Sequence, residues 1–88
     1  MNTEKIPGFI RIDKKCLGTE FAKRRKLADI KQQEAADWIG KTRAWLSQIE
    51  CGILTLSLID AYNLCRLYKC DLMTVVSDAV RTTEEYRK

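Results

Sequence analysis

Residues 32–52 read QQEAADWIGKTRAWLSQIECG, and this stretch decides the fold of the 88-residue chain. Gly40 separates two short segments, and glycine adopts at little cost the positive φ that ends a helix. Ala36 is small enough to let two helices cross closely. Leu46 and Ile49 are spaced as the buried side of a helix. The stretch therefore predicts two short helices that meet at a sharp angle.

The opposite side of the second helix carries small and hydrogen-bonding residues: Arg43, Ala44, Ser47 and Gln48. Such an exposed helical surface suits the major groove of DNA. Arginine donates two parallel hydrogen bonds to guanine, and glutamine matches the edge of adenine. The small residues between them let the helix lie deep in the groove. We expect these four residues to contact bases, with a phosphate at the helix start as the alternative partner for Arg43.

Other residues of the chain fit the same pattern in register over thirty positions: Arg25, Gln32-Gln33-Glu34, Ala36, Gly40, Thr42-Arg43, and Leu46-Ser47-Gln48-Ile49-Glu50 closed by Gly52. On these residues, the segment from about residue 17 to residue 76 resembles the helix-turn-helix family of phage lambda repressor and Cro. The family is also called the xenobiotic-response-element type. The resemblance implies a compact all-α, five-helix, lambda-repressor-like DNA-binding domain. It also implies a sequence-specific transcriptional regulator rather than an enzyme.

Contacts to the DNA backbone are expected around the two helix starts. Unpaired N–H groups at a helix start attract phosphates, and the resemblance implies that Gln32 both contacts the backbone and braces the recognition helix, residues 43–51. Lys31, Lys41 and Thr42 are further backbone candidates. Trp45 has two open interpretations, since its ring can lie against the sugar-phosphate wall or cover the junction with the next loop.

The resemblance also implies a structural ion pair between Arg25 and Glu50, which links the first helix to the end of the recognition helix. One departure from the family pattern concerns the loop after Gly52. It reads Ile53-Leu54-Thr55-Leu56, where family members usually carry a polar loop.

An apolar loop on a small domain is either folded into the core or covered by a partner. We expect a homodimer interface that uses this loop, the fifth helix, or both, with simple capping of the core as the alternative. The residues expected in the interface are Ile53, Leu54, Leu56, Val76, Ala79 and Val80.

The rest of the chain predicts one domain with short flanks. Residues 1–13 are expected to form a flexible arm, either unstructured or carrying Lys5 and Arg11 along phosphates or a partner subunit. Residues 14–80 are expected to form the domain, and residues 81–88 are expected to form a charged tail that frays. Asp13, Thr42, Ser57 and Asp71 are expected to cap helices. Positions expected to face inward include Leu17, Phe21, Leu27, Ile30, Leu58, Ala61, Tyr62, Leu64 and Cys65.

The charge and the cysteine content of the chain limit its possible functions further. The net charge of +4 and the pI near 9.0 favour polyanionic partners only mildly. The four cysteines form no Cys-x-x-Cys pair and the chain has no histidine, so free thiols are expected, with no metal and no cofactor. The sequence contains no apolar segment long enough to predict a membrane-spanning helix, and we expect a cytoplasmic protein.

The predicted partners are an operator in double-stranded DNA and a second copy of the chain. Repression through a near-palindromic operator is the expected activity. Two alternatives remain, an autoregulating antitoxin that also binds a toxin, and a protein-interaction module without DNA binding. A protein antagonist would also fit a chain of this size.

Overall fold

The computed structural model describes residues 8–86, and this part of the chain contains five α-helices. They are α1 (Lys14–Leu27), α2 (Gln32–Ile39), α3 (Arg43–Glu50), α4 (Leu58–Tyr68) and α5 (Leu72–Tyr86). The predicted all-α class is therefore confirmed. No helix among residues 8–86 is both long and apolar enough to cross a membrane.

The helix starts lie where the sequence predicts them. Four side chains accept a hydrogen bond from a backbone N–H of the first turn: Asp13 from Lys15, Thr42 from Trp45, Ser57 from Asp60 and Asp71 from Thr74. Each supplies an acceptor to a donor that the helix itself leaves unpaired. Gly40 closes α2 with a φ of 77°, so the sharp turn before α3 uses glycine's freedom as expected.

The core lies where α1 packs against α3, α4 and α5, with α2 on the side of α3 and α4. Its largest fully buried side chains are Phe21, Leu46, Leu64 and Val75. Three residues expected to face inward do not: Leu27 is 73% exposed, Leu58 is 76% exposed and Tyr62 is 55% exposed.

These errors have two physical causes. Leu27 is the last residue of α1, and Ile30, beyond the turn, packs against the core. The fourth helix carries two apolar stripes, and only the one with Ala61, Leu64 and Cys65 faces the core. Periodicity alone does not say which stripe is buried.

The last helix is longer than the sequence predicts. It continues through Tyr86 instead of fraying after Arg81, so residues 81–86 are helical. Thr83 explains the extension, because its buried hydroxyl donates to the Ala79 carbonyl at 2.8 Å and accepts from the Asp13 N–H at 3.1 Å. The end of α5 is thereby tied to the start of α1.

The N-terminal segment is neither helix nor strand over residues 8–13, and Arg11 is exposed there. The remainder of the predicted arm, including Lys5, lies outside the described residues.

A close approach of α1 to the end of α3 fixes how these two helices cross. Gly18 lies in α1 directly beneath the carbonyl groups of Ile49 and Glu50. A Cβ built on Gly18 would lie 2.8 Å from the Glu50 carbonyl oxygen and nearer still to that of Ile49. Only glycine fits between the two backbones.

We expect Gly18→Ala to destabilise the protein by about 2 kcal/mol or more, since overpacking against fixed backbone exceeds the gain in helix propensity. Urea unfolding followed by circular dichroism measures the change. Gly8→Ala is the matched control, because nothing lies within 4 Å of a Cβ at that position. Equal midpoints for the two variants would contradict the close approach.

Candidate nucleic-acid interface

The outward side of α3 presents one continuous polar stripe. Arg43, Ala44 and Gln48 are exposed and Ser47 is half-buried, while Leu46 and Ile49 on the opposite side are buried. Capping by Thr42 starts the helix at Arg43, which places this side chain in the first turn. The four predicted base-contacting residues therefore share one accessible surface, and base contact itself stays a prediction.

The end of α3 is held by a buried ion pair between Arg25 and Glu50. The Arg25 Nε donates to Glu50 Oε2 at 2.7 Å, and Nη2 donates to Oε1 at 3.1 Å. The two side chains are only 9% and 6% exposed. The hydrogen bond to Glu50 raises the pKa of Arg25 above its ordinary value, and this effect is larger than the lowering of the pKa by burial. The guanidinium is therefore charged throughout the physiological range.

Two further bonds join this pair to the rest of the motif. The Arg25 Nη1 donates to the Ile30 carbonyl at 2.8 Å, in the segment between α1 and α2. The Gln32 Nε2 donates to Glu50 Oε1 at 2.9 Å. Gln32, the first residue of α2, is thus fixed directly to the last residue of α3. We call Arg25, Gln32 and Glu50 the brace.

A shallow positive recess lies beside the brace, between the starts of α2 and α3. Its volume is about 490 Å³, and it is lined by Arg25, Lys31, Gln32, Gln33 and Arg43. Since Glu50 neutralises Arg25, the exposed Lys31 and Arg43 supply the recess with its positive charge. A phosphate is the anion that such a recess at two helix starts would accommodate.

The positive surface continues along α1. Lys23 and Lys26 line a second recess of about 700 Å³, which also includes Gln32, Glu50 and Cys51. The signal was present in the sequence, because two lysines three residues apart share one side of a helix. Which side of α1 faces α3 depends on how α1 packs, and the spacing of the lysines does not determine it.

Trp45 lies half-buried against the core, and the Lys41 ammonium is 5.5 Å from the centre of its ring. That distance is typical of a cation–π contact. Both interpretations of Trp45, a contact with the sugar-phosphate wall and a cover over the junction with the next loop, stay predictions. Lys41 is held beside the start of α3, where its charge adds to that of Arg43. Thr42 remains exposed between them.

The residues expected at a dimer interface divide into three groups. Ile53 and Leu54 are exposed, 65% and 38%, while Leu56 packs against the core and Val76 and Val80 are half-buried. Ala79 has no exposed surface, so its predicted role in an interface is wrong: it packs inside its own chain. Large apolar side chains outside the expected set are also exposed: Leu58, Ile59, Tyr62 and Met73.

The cysteines are free thiols, with Cys16 and Cys65 buried, Cys51 exposed and Cys70 half-buried. Within residues 8–86, no group of three or more potential ligands is placed to hold a metal ion.

Comparisons with known proteins agree with the geometry. The helix-turn-helix domain family matches residues 17–75 of the chain. Among solved structures, the chain is similar to the crystal structure of the clp gene regulator ClgR from Corynebacterium glutamicum. The TM-score is 0.81 at 16% sequence identity, over 90% of this chain and 84% of that one. No curated protein matches the sequence significantly.

We expect Glu50→Ala to lower the free energy of unfolding by about 3 kcal/mol, because it leaves the Arg25 guanidinium buried without its counter-ion. Chemical unfolding of the purified protein measures this decrease in the free energy of unfolding. Glu84→Ala removes an exposed carboxylate from α5 and serves as the control, with an expected change below about 0.5 kcal/mol. Unchanged stability of the Glu50 variant would refute the structural importance of the brace.

Proposed function

The chain belongs to the helix-turn-helix domain family, and from this premise we propose that it is a transcriptional regulator that binds double-stranded DNA through α3. The observation that carries the proposal is the polar stripe on α3. Arg43, Ala44 and Gln48 in it are exposed and Ser47 is half-buried, while the apolar anchors on the other side of the helix are buried. The proposed regulator acts in the cytoplasm, and no catalytic step is needed for its action.

The dimensions of α3 fit the proposed role. An α-helix with its side chains is about 10–12 Å in diameter, which fits the major groove of B-DNA, about 12 Å wide. Arg43 is proposed to read guanine and Gln48 to read adenine. Ala44 and Ser47 are proposed to contact bases at closer range, including the methyl group of thymine at Ala44.

Phosphate contacts are proposed to set the depth and direction of α3 in the groove. Lys31, Gln32, Lys41 and Thr42 lie around the two helix starts, where backbone N–H groups also point outward. Lys23 and Lys26 extend the positive surface along α1. Such contacts make affinity fall steeply as salt rises and carry no sequence information themselves.

We further propose that a second copy of the chain covers exposed apolar residues in the loop after α3 and on α4: Ile53, Leu54, Leu58, Ile59 and Tyr62. One short helix reads only a few base pairs, so an operator needs two such helices. In a two-fold dimer, these helices would enter successive major grooves about 34 Å apart on a near-palindromic operator. Occupancy of that site would block transcription, which makes repression the proposed outcome.

Selection of bound duplexes from a random pool tests the proposed function directly. Two inverted half-sites about 10 base pairs apart, centre to centre, are the expected result. Equal affinity for every duplex at physiological salt would reject sequence-specific regulation.

We expect Arg43→Ala to weaken binding to the selected duplex by about 10- to 100-fold and to relax the preference at one base pair in each half-site. Fluorescence anisotropy at fixed salt measures the affinity. Arg81→Ala is the control, because it removes the same charge from the exposed side of α5, a helix that packs chiefly on α1. If both variants lose affinity equally and neither changes the preferred sequence, Arg43 binds phosphate and does not read a base.

We expect Ile59→Asp to convert a dimer into a monomer and to weaken operator binding. Ile59 is 71% exposed, so the substitution does not disturb the core. Sedimentation velocity at micromolar concentration, with and without operator DNA, measures the oligomeric state. The control is Ile10→Asp, the same change at a 60% exposed site in the N-terminal segment.

A wild-type chain that stays monomeric under both conditions would remove the homodimer proposal. If that monomer instead formed a stable complex with the product of a neighbouring gene, the exposed apolar residues would favour an antitoxin.

A further inference from the structure

The end of α4 brings two cysteines together. Lys69 closes the helix in the left-handed conformation with a φ of 56°, and the Cys70 N–H donates to the Cys65 carbonyl at 2.9 Å. This bond across five residues is the outer bond of a Schellman cap, in which the two flanking side chains usually make an apolar contact. Here both positions of that contact are cysteine.

The cap also sets the distance between the two residues. The 2.9 Å hydrogen bond joins the carbonyl oxygen of Cys65 to the N atom of Cys70. Adding the covalent distances from these two atoms to their own Cα atoms gives a Cα–Cα separation of at most about 7 Å. Disulfides span Cα separations of about 4.4–6.8 Å. Both side chains face the same core, where Cys65 is buried and Cys70 packs against the buried cluster. Little movement of the backbone is needed to join their sulfur atoms.

We propose that Cys65 and Cys70 are a modification site, an oxidisable thiol pair that closes into a disulfide within one chain at the end of α4. The proposed oxidant is hydrogen peroxide, which is small enough to reach a half-buried sulfur. This inference is independent of DNA binding.

The reaction proceeds in two steps. The Cys70 thiolate attacks one peroxide oxygen, the O–O bond breaks, and hydroxide leaves and takes up a proton to give water and a sulfenic acid on Cys70. The Cys65 sulfur then attacks the Cys70 sulfur, the S–O bond breaks, and hydroxide leaves as a second water with the proton lost by Cys65. Two thiols lose two electrons, and one peroxide gains them.

The environments of the two sulfur atoms fix this order. Burial and, to a lesser degree, the neighbouring Cys70 together raise the pKa of the Cys65 thiol to about 12. A thiol with so high a pKa is a poor first nucleophile at neutral pH, since the thiolate is the reactive form. Cys70 is the more exposed of the two residues, and we propose that it reacts first. The second step should accelerate as the pH rises.

The cross-link should stabilise the fold. It would connect the last turn of α4 to the segment that enters α5, two elements already held together by the cap. A disulfide that fits the native geometry acts mainly by restricting the unfolded chain. We therefore expect peroxide treatment to raise the melting temperature.

The test uses the full chain carrying Cys51→Ser, because the exposed Cys51 would otherwise react and shares a tryptic peptide with Cys65. After peroxide treatment, remaining thiols are alkylated and the protein is digested with trypsin. Cleavage after Arg66 and Lys69 separates the two cysteines unless a disulfide joins them. The expected results are a bridged peptide pair, the loss of two thiols per chain and a higher melting temperature.

The control is Cys70→Ser in the same background, which should give no bridged peptide and no peroxide-dependent rise in melting temperature. A bridge to Cys16, a bridge between two chains, or an overoxidised Cys70 without any bridge would overturn the proposal. The peptide assay reads the two native sulfur atoms directly, so its result decides the question even if the control variant fails to fold.

Discussion

The carboxylate of Glu50 is the constraint on which the rest of the motif depends. It accepts two hydrogen bonds from Arg25 and one from Gln32, and Arg25 also reaches the Ile30 carbonyl. Buried ion pairs add little stability over a well-packed apolar cluster, because desolvation offsets the attraction. Their geometry is directional, however. The brace therefore specifies the position of α3 relative to α1 and to the start of α2, which an apolar contact alone would leave adjustable.

Steric constraints act on the same end of α3. Gly18 admits the carbonyls of Ile49 and Glu50, and Gly52, with a φ of 79°, turns the chain away from the helix. A Cβ on Gly52 would lie 2.6 Å from the Lys15 Cα, so the departing chain passes directly against α1. One end of α3 is thus fixed by charge and by contact. The other end, with Arg43, follows the turn capped by Thr42 and is exposed.

The sequence predicted the features that depend on neighbouring residues. Caps at Asp13 and Thr42 and the turn at Gly40 are local, and each lies where it was expected. Features that depend on distant packing were missed. The extension of α5 needs a hydrogen bond from the Asp13 N–H to Thr83, seventy positions away. The burial of Ala79 and the exposure of Leu58 likewise depend on which side of a helix meets α1, which periodicity cannot decide.

The path of the chain joins the two surfaces that the proposed regulator would use. Ile53 follows the last residue of α3 by three positions, and its N–H donates to the Gln48 carbonyl at 2.9 Å. Gln48 itself lies on the polar stripe of α3. An apolar contact at Ile53 in the proposed dimer would therefore be attached rigidly, in each subunit, to the helix proposed to contact bases. The separation of the two recognition helices would then follow from the packing of the interface. Apolar residues that touch no DNA would then set the spacing between the half-sites. The reason is that Ile53 is joined to α3 without a flexible linker.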